Sequence, residues 1–190
     1  MAAMPNMTII EPSCETEVSS ILDWAINQND YSSYIRLVSL PTKINFKYPE
    51  DKALKKGCGI EIKPGKDSYI FAYGPKMLSL AIEASDSIKE DCAIDIGVIN
   101  MPWLNYIDKE WFIKLVDSKS IICSIDNHYR IGALGDRISA IVASSSELKT
   151  CVHTIALDEI PSCGTNEEIL EKHGFSYTQI RDYILHKLNQ

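Results

Sequence analysis

The sequence predicts an α/β fold: a three-layer sandwich built on a mainly parallel sheet of four to five strands, preceded by the strand–helix–strand tail of a second α/β domain. Three observations carry this. From residue 67 onward, short β-branched runs alternate with amphipathic helical stretches. One of those runs, SIICSID, is apolar on both faces, as an interior strand of a parallel sheet must be. Near residues 41–56 the chain turns polar and lysine-rich and is twice interrupted by proline, which marks a linker between two apolar blocks. The expected division is residues 1–41 as the tail, 42–66 as linker and domain start, and 67–190 as the main domain.

Each element follows from local pattern. The opening strand in MTIIEPS is stopped by Pro12. In CETEVSSILDWAINQND, Val18, Ile21, Leu22, Ala25 and Ile26 recur at helical spacing. SSYIRLVSL, residues 32–40, reads as a β-branched strand. A single strand–helix–strand unit cannot bury both its faces, so it reads as part of a larger domain. DSYIFAYG is a strand stopped by Gly74-Pro75. MLSLAIEASDSIKE is a helix with Leu78, Ala81, Ile82 and Ile88 on one face. CAIDIGVIN is the next strand, and DKEWFIKLVDS a short helix with Asp108 as its N-cap. After SIICSID come the helix ALGDRISAIVASSS and the strand VHTIAL. NEEILEKHG is a helix ending at Gly174, and Ser176 caps the last helix, SYTQIRDYILHKLN.

Composition narrows the function classes. A net charge of -7 repels a polyanion, so nucleic acid is not an expected partner. No window of about 18 apolar residues exists, and the first residues lack a secretory signal, so a cytoplasmic protein with no membrane partner is expected. Cys14, Cys58, Cys92, Cys123, Cys151 and Cys163 include no C-x-x-C pair. They read as buried free thiols, with Cys92 and Cys123 inside strands. His128, His153, His173 and His186 show no metal-ligand spacing. A cation near a helix C-terminus contributes about 0.3–1 kcal/mol, which suffices to account for His173.

Residues 124–138, SIDNHYRIGALGDRI, have the layout of a phosphate cradle: a strand end, a glycine-interrupted turn and a helix start. A dinucleotide fingerprint needs three glycines, the first directly after the strand, and an acid about twenty residues on. Here only Gly132 and Gly135 are present, and NHYRI intervenes. Asp158 is one loose match, and a Gly-Lys-Ser/Thr phosphate loop is absent. The expected roles are therefore relief of a turn at Gly132 and close helix packing at Gly135.

Six passages, in order, resemble the C-terminal region of transketolases, a thiamine-diphosphate-dependent enzyme family. MPNMTIIEPS resembles the family's PNM and EP segment, and SSYIRL its vYIRL strand. DSYIFAYGPKMLSLAIEAS resembles the opening of its C-terminal domain, and VINMPWLNYIDKEW its vinm passage. SIDNHYRIGALGDRI resembles the vEeH and GGLG signature, and PSCGTNEEILEKHGFSYTQI the SGtpeeLlekyGL ending.

The resemblance implies that residues 1–41 are the remnant of a pyrimidine-binding domain and that 67–190 are the complete C-terminal domain. The intact homodimer would move a two-carbon ketol unit from a ketose to an aldose, in carbohydrate metabolism. Thiamine diphosphate and Mg²⁺ (or Ca²⁺) would sit between two other domains, so no cofactor is expected on this chain. The missing partners are the N-terminal diphosphate- and pyrimidine-binding domains, which supply the metal carboxylates and the activating glutamate. The chain alone is expected to be an inactive fragment serving packing and dimer contact. Two sister groups share the domain and remain alternatives: 1-deoxyxylulose-5-phosphate synthases and 2-oxoacid dehydrogenase β-subunits. A stand-alone small-anion-binding regulatory module using the crevice near His128 and Gly132 is a further one.

No catalytic, cofactor or metal residue is assigned. The candidates for substrate or interface contact are Arg36, Asp126, His128, Gly132 and Gly135. Arg36 matches the first arginine of the family strand, but Ser39 stands where many members carry a second, phosphate-binding one. That departure points to a non-phosphorylated or unusual sugar, and on its own Arg36 reads as a surface ion pair. Asp126 replaces the family's glutamate, and His128 aligns with its histidine. The aromatic run Trp103, Tyr106, Trp111 and Phe112 reads as core or subunit contact.

Overall fold

Parallel strands need crossover helices, and the alternation in the chain supplies them. The computed structural model describes residues 4–49, 52–117, 119 and 121–189. Residues 50 and 51 of the expected linker, Ser118 at the end of DKEWFIKLVDS and Ser120 at the head of SIICSID lie outside them.

The first unit is β1 (Met7–Ile10), α1 (Glu15–Asn27) and β2 (Ser32–Ile35), with β1 and β2 paired in parallel. The second comprises β3 (Ile60–Lys63), β4 (Ser68–Ala72), α2 (Pro75–Cys92), β5 (Ile96–Asn100), α3 (Lys109–Val116), β6 (Ile121–Tyr129), α4 (Leu134–Ala143), β7 (Cys151–Leu157), α5 (Asn166–Lys172) and α6 (Tyr177–Leu188). Its five-stranded sheet has the order β3-β5-β4-β6-β7. Every pairing in it is parallel except β3 with β5.

Two apolar layers enclose the sheet. On one face α2 and α6 lay Leu78, Ala81, Ile88, Ile180 and Ile184 over Ile70, Val98 and Ile125. On the other, α1, α3 and α4 lay Trp24, Phe112, Val116 and Ile138 over Phe71, Ile99 and Ile122. Trp24 and Trp103 meet edge to face at 4.8 Å, joining the first unit to the second. The chain after β5 adds to β1 as well: Ile10 bridges Trp103 in antiparallel fashion, and Leu104 N donates to Ile9 O at 2.9 Å.

The caps behave as local chemistry requires. Asp108 accepts from Trp111 N at 2.9 Å. Ser176 and Gln179 form a reciprocal capping box, as do Thr165 and Glu168.

Several expectations are corrected. The strand expected over residues 32–40 ends at Ile35, and Leu37, Val38 and Leu40 are exposed beyond it. Residues 60–63, to which the sequence pattern assigns no element, form the antiparallel edge strand β3 within the expected linker and domain start. Cys92 ends a helix rather than opening a strand, because α2 continues until Ala93 takes a left-handed φ of 57°. Cys92, Cys151 and Cys163 are exposed, so only Cys58 and Cys123 are buried thiols. The lysine-rich segment is anchored in places: Tyr48 is buried, and Asn45 Nδ2 donates to Ser79 O at 3.1 Å.

Helix α4 approaches the sheet through Gly135. A methyl group there would collide with the hydroxyls of Thr154 on β7 and Ser124 on β6. Gly135→Ala should therefore lower unfolding stability by about 1–3 kcal/mol, read as a lower urea midpoint with an unchanged slope.

Candidate functional site

The topology decides where a crevice can form. From β4 the chain passes through α2 to β5 on one side, whereas β6, on the other side of β4, passes through α4 to β7. The two helices lie on opposite faces, so the strands part at their carboxyl ends between β4 and β6. A cavity of about 430 Å³ opens at that end, lined by Tyr34, Arg36, Tyr73, His128, Gly132 and Leu134 among others. Three of the sequence candidates, Arg36, His128 and Gly132, therefore share one cleft. Asp126 lies beneath it, fully buried, and Gly135 sits behind it in the helix.

The donors of the glycine turn already have acceptors. Leu134 N and Gly135 N, at the start of α4, donate to Asp126 at 2.8 and 3.2 Å. Gly132, at a φ of 80°, donates its N–H to Asp136 at 2.6 Å. The helix N-terminus attracts an anion, and the protein provides that anion from its own β6. Tyr73 Oη donates to Asp126 at 3.1 Å, and Ser124 Oγ at 3.3 Å. Burial raises the Asp126 carboxyl above the usual range, while the two amides and two hydroxyls pull it back. The Tyr73 phenol is held well above its ordinary value by burial and by the Asp126 carboxylate.

Arg36 is not a surface ion pair. Its partner Glu11 is completely buried, and Arg36 also donates to Asn127 Oδ1 and stands 5.6 Å over the Tyr73 ring. Asn127 Nδ2 donates to Glu11 Oε1 at 3.2 Å. Gly74, between β4 and α2, leaves room for that carboxylate, since any side chain there would strike Glu11 Oε1. Burial pushes the Glu11 carboxyl up, and Arg36 offsets part of that push. Burial disfavours the Arg36 cation, but Glu11 and Tyr73 outweigh it and bind its proton more tightly. His128 is exposed at the rim beside Tyr129, with ring centroids 5.9 Å apart.

Glu11, Tyr73 and Asn127 are the site residues that the sequence candidates lack. An acid closing an apolar strand just before Pro12 was the one local signal for Glu11.

Residues 57–180 match the family described as transketolase, C-terminal domain. The chain belongs to that family. A Clostridium tetani 1-deoxy-D-xylulose-5-phosphate synthase is 29% identical over 92% of this chain and 27% of its own length. A Methanocaldococcus jannaschii protein named as a transketolase C-terminal section is 25% identical over 100% of this chain and 58% of its own. This chain therefore spans between about a quarter and about three-fifths of these relatives. A solved split-gene transketolase, an inactive beta4 tetramer, superposes with a TM-score of 0.84 at 23% identity, over 100% of this chain and 59% of that one. A Pichia stipitis transketolase gives 0.72 at 19% identity, over 97% and 25%. At those identities the superpositions establish the fold alone.

A thiamine diphosphate group bound by members of such a family needs a metal and free donors for its phosphates. Among the described residues of this transketolase C-terminal domain no group of three or more His, Cys, Asp and Glu could hold a metal. The turn amides that could face a phosphate are bonded to Asp126 and Asp136. The residues present do not fit the group.

Removing one partner of the Glu11–Arg36 pair leaves a cation short of its counter-charge. Glu11→Ala should lower unfolding stability by about 3 kcal/mol, measured by chemical denaturation.

Proposed function

We propose that this chain is the C-terminal region of a transketolase-type enzyme and acts as a packing and subunit-contact domain rather than as a catalyst by itself. One observation carries the reading: a match to the transketolase C-terminal domain over residues 57–180, in a fold whose switch-point anion positions are filled by its own carboxylates. On this reading residues 1–41 are the end of a pyrimidine-binding domain, 42–66 the linker and domain start, and 67–190 the C-terminal domain. Thiamine diphosphate and its magnesium (or calcium) ion bind on diphosphate- and pyrimidine-binding domains supplied from elsewhere, in the same polypeptide or in another. The complete enzyme transfers a two-carbon ketol unit between sugars, and the bound cofactor supplies the carbanion chemistry. What this chain contributes is a rigid sheet end: Glu11, Arg36, Asn127 and Tyr73 hold the first unit against the second, and His128 and Tyr129 stand exposed for contact.

A second reading has a specific observation behind it. A Clostridium perfringens 1-deoxy-D-xylulose-5-phosphate synthase is 33% identical over 73% of this chain, a higher identity than that of the transketolase section. The product separates the two: exchange between ketose and aldose supports the first, and formation of a 1-deoxyketose phosphate the second.

Pure chain given thiamine diphosphate, Mg²⁺, a ketose and an aldose should show no turnover. Turnover should appear when a polypeptide carrying the diphosphate- and pyrimidine-binding domains is added. Ketol transfer by the chain alone would overturn the reading. Exposed Leu37, Val38, Leu40 and Tyr34 leave apolar surface to cover, so light scattering should find a self-associated species, expected as a dimer. A monomer at high concentration would count against subunit contact.

A further inference from the structure

We propose that Glu17 is a proton-dependent clasp: its neutral carboxyl fastens the first strand–helix–strand unit to the carboxyl end of β5, and its ionisation loosens that junction. Glu17 lies in α1 and is completely buried. Its carboxyl accepts from Ser13 N at 2.6 Å, from Asn100 Nδ2 at 2.7 Å and from Tyr48 Oη at 3.4 Å. Asn100 is the last residue of β5 and is itself completely buried, and its Oδ1 accepts from Ser13 Oγ at 2.8 Å. Three parts of the chain thus converge on one carboxyl: the start of α1, the segment holding Tyr48, and the sheet.

The contrast with Glu11 decides the chemistry. Glu11 is buried against a guanidinium, whereas among the described residues the groups facing Glu17 are Cys14 and Ser13 before α1, Tyr48 from the long connection and Asn100 from β5. None of these is a cation. A buried carboxylate with no cation beside it is costly even when hydrogen-bonded, and burial favours the protonated acid. Burial pushes the Glu17 carboxyl up to about 7, against the pull of the Ser13 amide and the Asn100 and Tyr48 side chains. Burial followed by the neighbouring Glu17 charge raises Tyr48, and Cys14 is raised chiefly by burial.

The network can also receive the proton. Turning the Asn100 carboxamide about its terminal bond presents Oδ1 to Glu17 and Nδ2 to the Ser13 hydroxyl, which accepts as readily as it donates. A neutral carboxyl then donates to Asn100, and the Ser13 amide still donates to the other carboxyl oxygen.

The direction of the pH effect follows from linkage. Below the unfolded value of 4.5 both states hold the proton, and the stabilisation is complete. Between 4.5 and about 7 the unfolded chain releases it and the folded chain does not, so stability falls as pH rises. Above about 7 both states are ionised and the loss levels off.

Glu17→Gln mimics the neutral acid, and the experiment compares its thermal unfolding with that of the unaltered chain from about pH 5 to about pH 8.5. The variant's Tm advantage should grow by about 5 °C across that range and then level off. A ¹³C NMR titration of the Glu17 carboxyl in the unaltered chain gives a readout that does not depend on the variant folding. A midpoint near neutrality supports the clasp. A midpoint below about 5, a Tm difference independent of pH, or a variant less stable than the unaltered chain at the alkaline end would each overturn it.

Discussion

A fully buried carboxylate, Glu11, ties the first strand–helix–strand unit to the main sheet. It lies beside the gap where the strands of an open α/β sheet diverge, a place where such folds often bind ligands. To be tolerated there it needs a cation, and Arg36 arrives only because β2 runs parallel to β1 and delivers it one residue past Ile35. It needs a second donor, and Asn127 arrives because β6 continues past the end of β4 to Tyr129. It needs space, which the absent side chain of Gly74 leaves at the head of α2. Four separate elements are thereby fixed relative to one another by the requirement that one charge not be stranded.

The same solution recurs beneath the glycine turn. A helix start that faces a strand end makes an electropositive niche, and a nucleotide-binding protein leaves it open for phosphate. Here Asp126 fills it from the strand side and Asp136 from the helix side. The similarity of the turn to a phosphate cradle is therefore physical and not accidental: the donors and the dipole are present, and the anion is part of the polypeptide. Fold geometry by itself does not assign a ligand to such a crevice.

What could be read from the sequence was what depends on near neighbours. The amphipathic face of α2, the Asp108 cap and the Ser176 cap each involve residues within a turn or two of one another. Strand β3 was hidden because it is four residues long, bounded by Gly59 and Pro64, beside a lysine-rich run. The overlong reading of β2 followed from β-branched composition, which says nothing of where pairing partners end. Within the site, Arg36 and His128 were named from the family resemblance and Gly132 from the layout of the turn, and the three do share the cleft. Glu11, Tyr73 and Asn127 were not, since Glu11 and Asn127 are 116 residues apart and a buried polar network carries no periodicity. Nothing in the local pattern around Glu17 marks it out, and its burial comes from the sheet packed over it.

The two borders of the five-stranded sheet are unlike each other. At one, β3 runs against its neighbour and shifts register between Glu61 and Lys63, and the Lys63 ammonium reaches back to Ser85 at 2.8 Å. Such irregularity with an inward-bent lysine frustrates the docking of a foreign strand. At the other, β7 is straight through most of its pairing with β6 and begins at the exposed Cys151. Of the two borders of this sheet, the one at β7 keeps the more regular register and is therefore the better suited to receive a further strand.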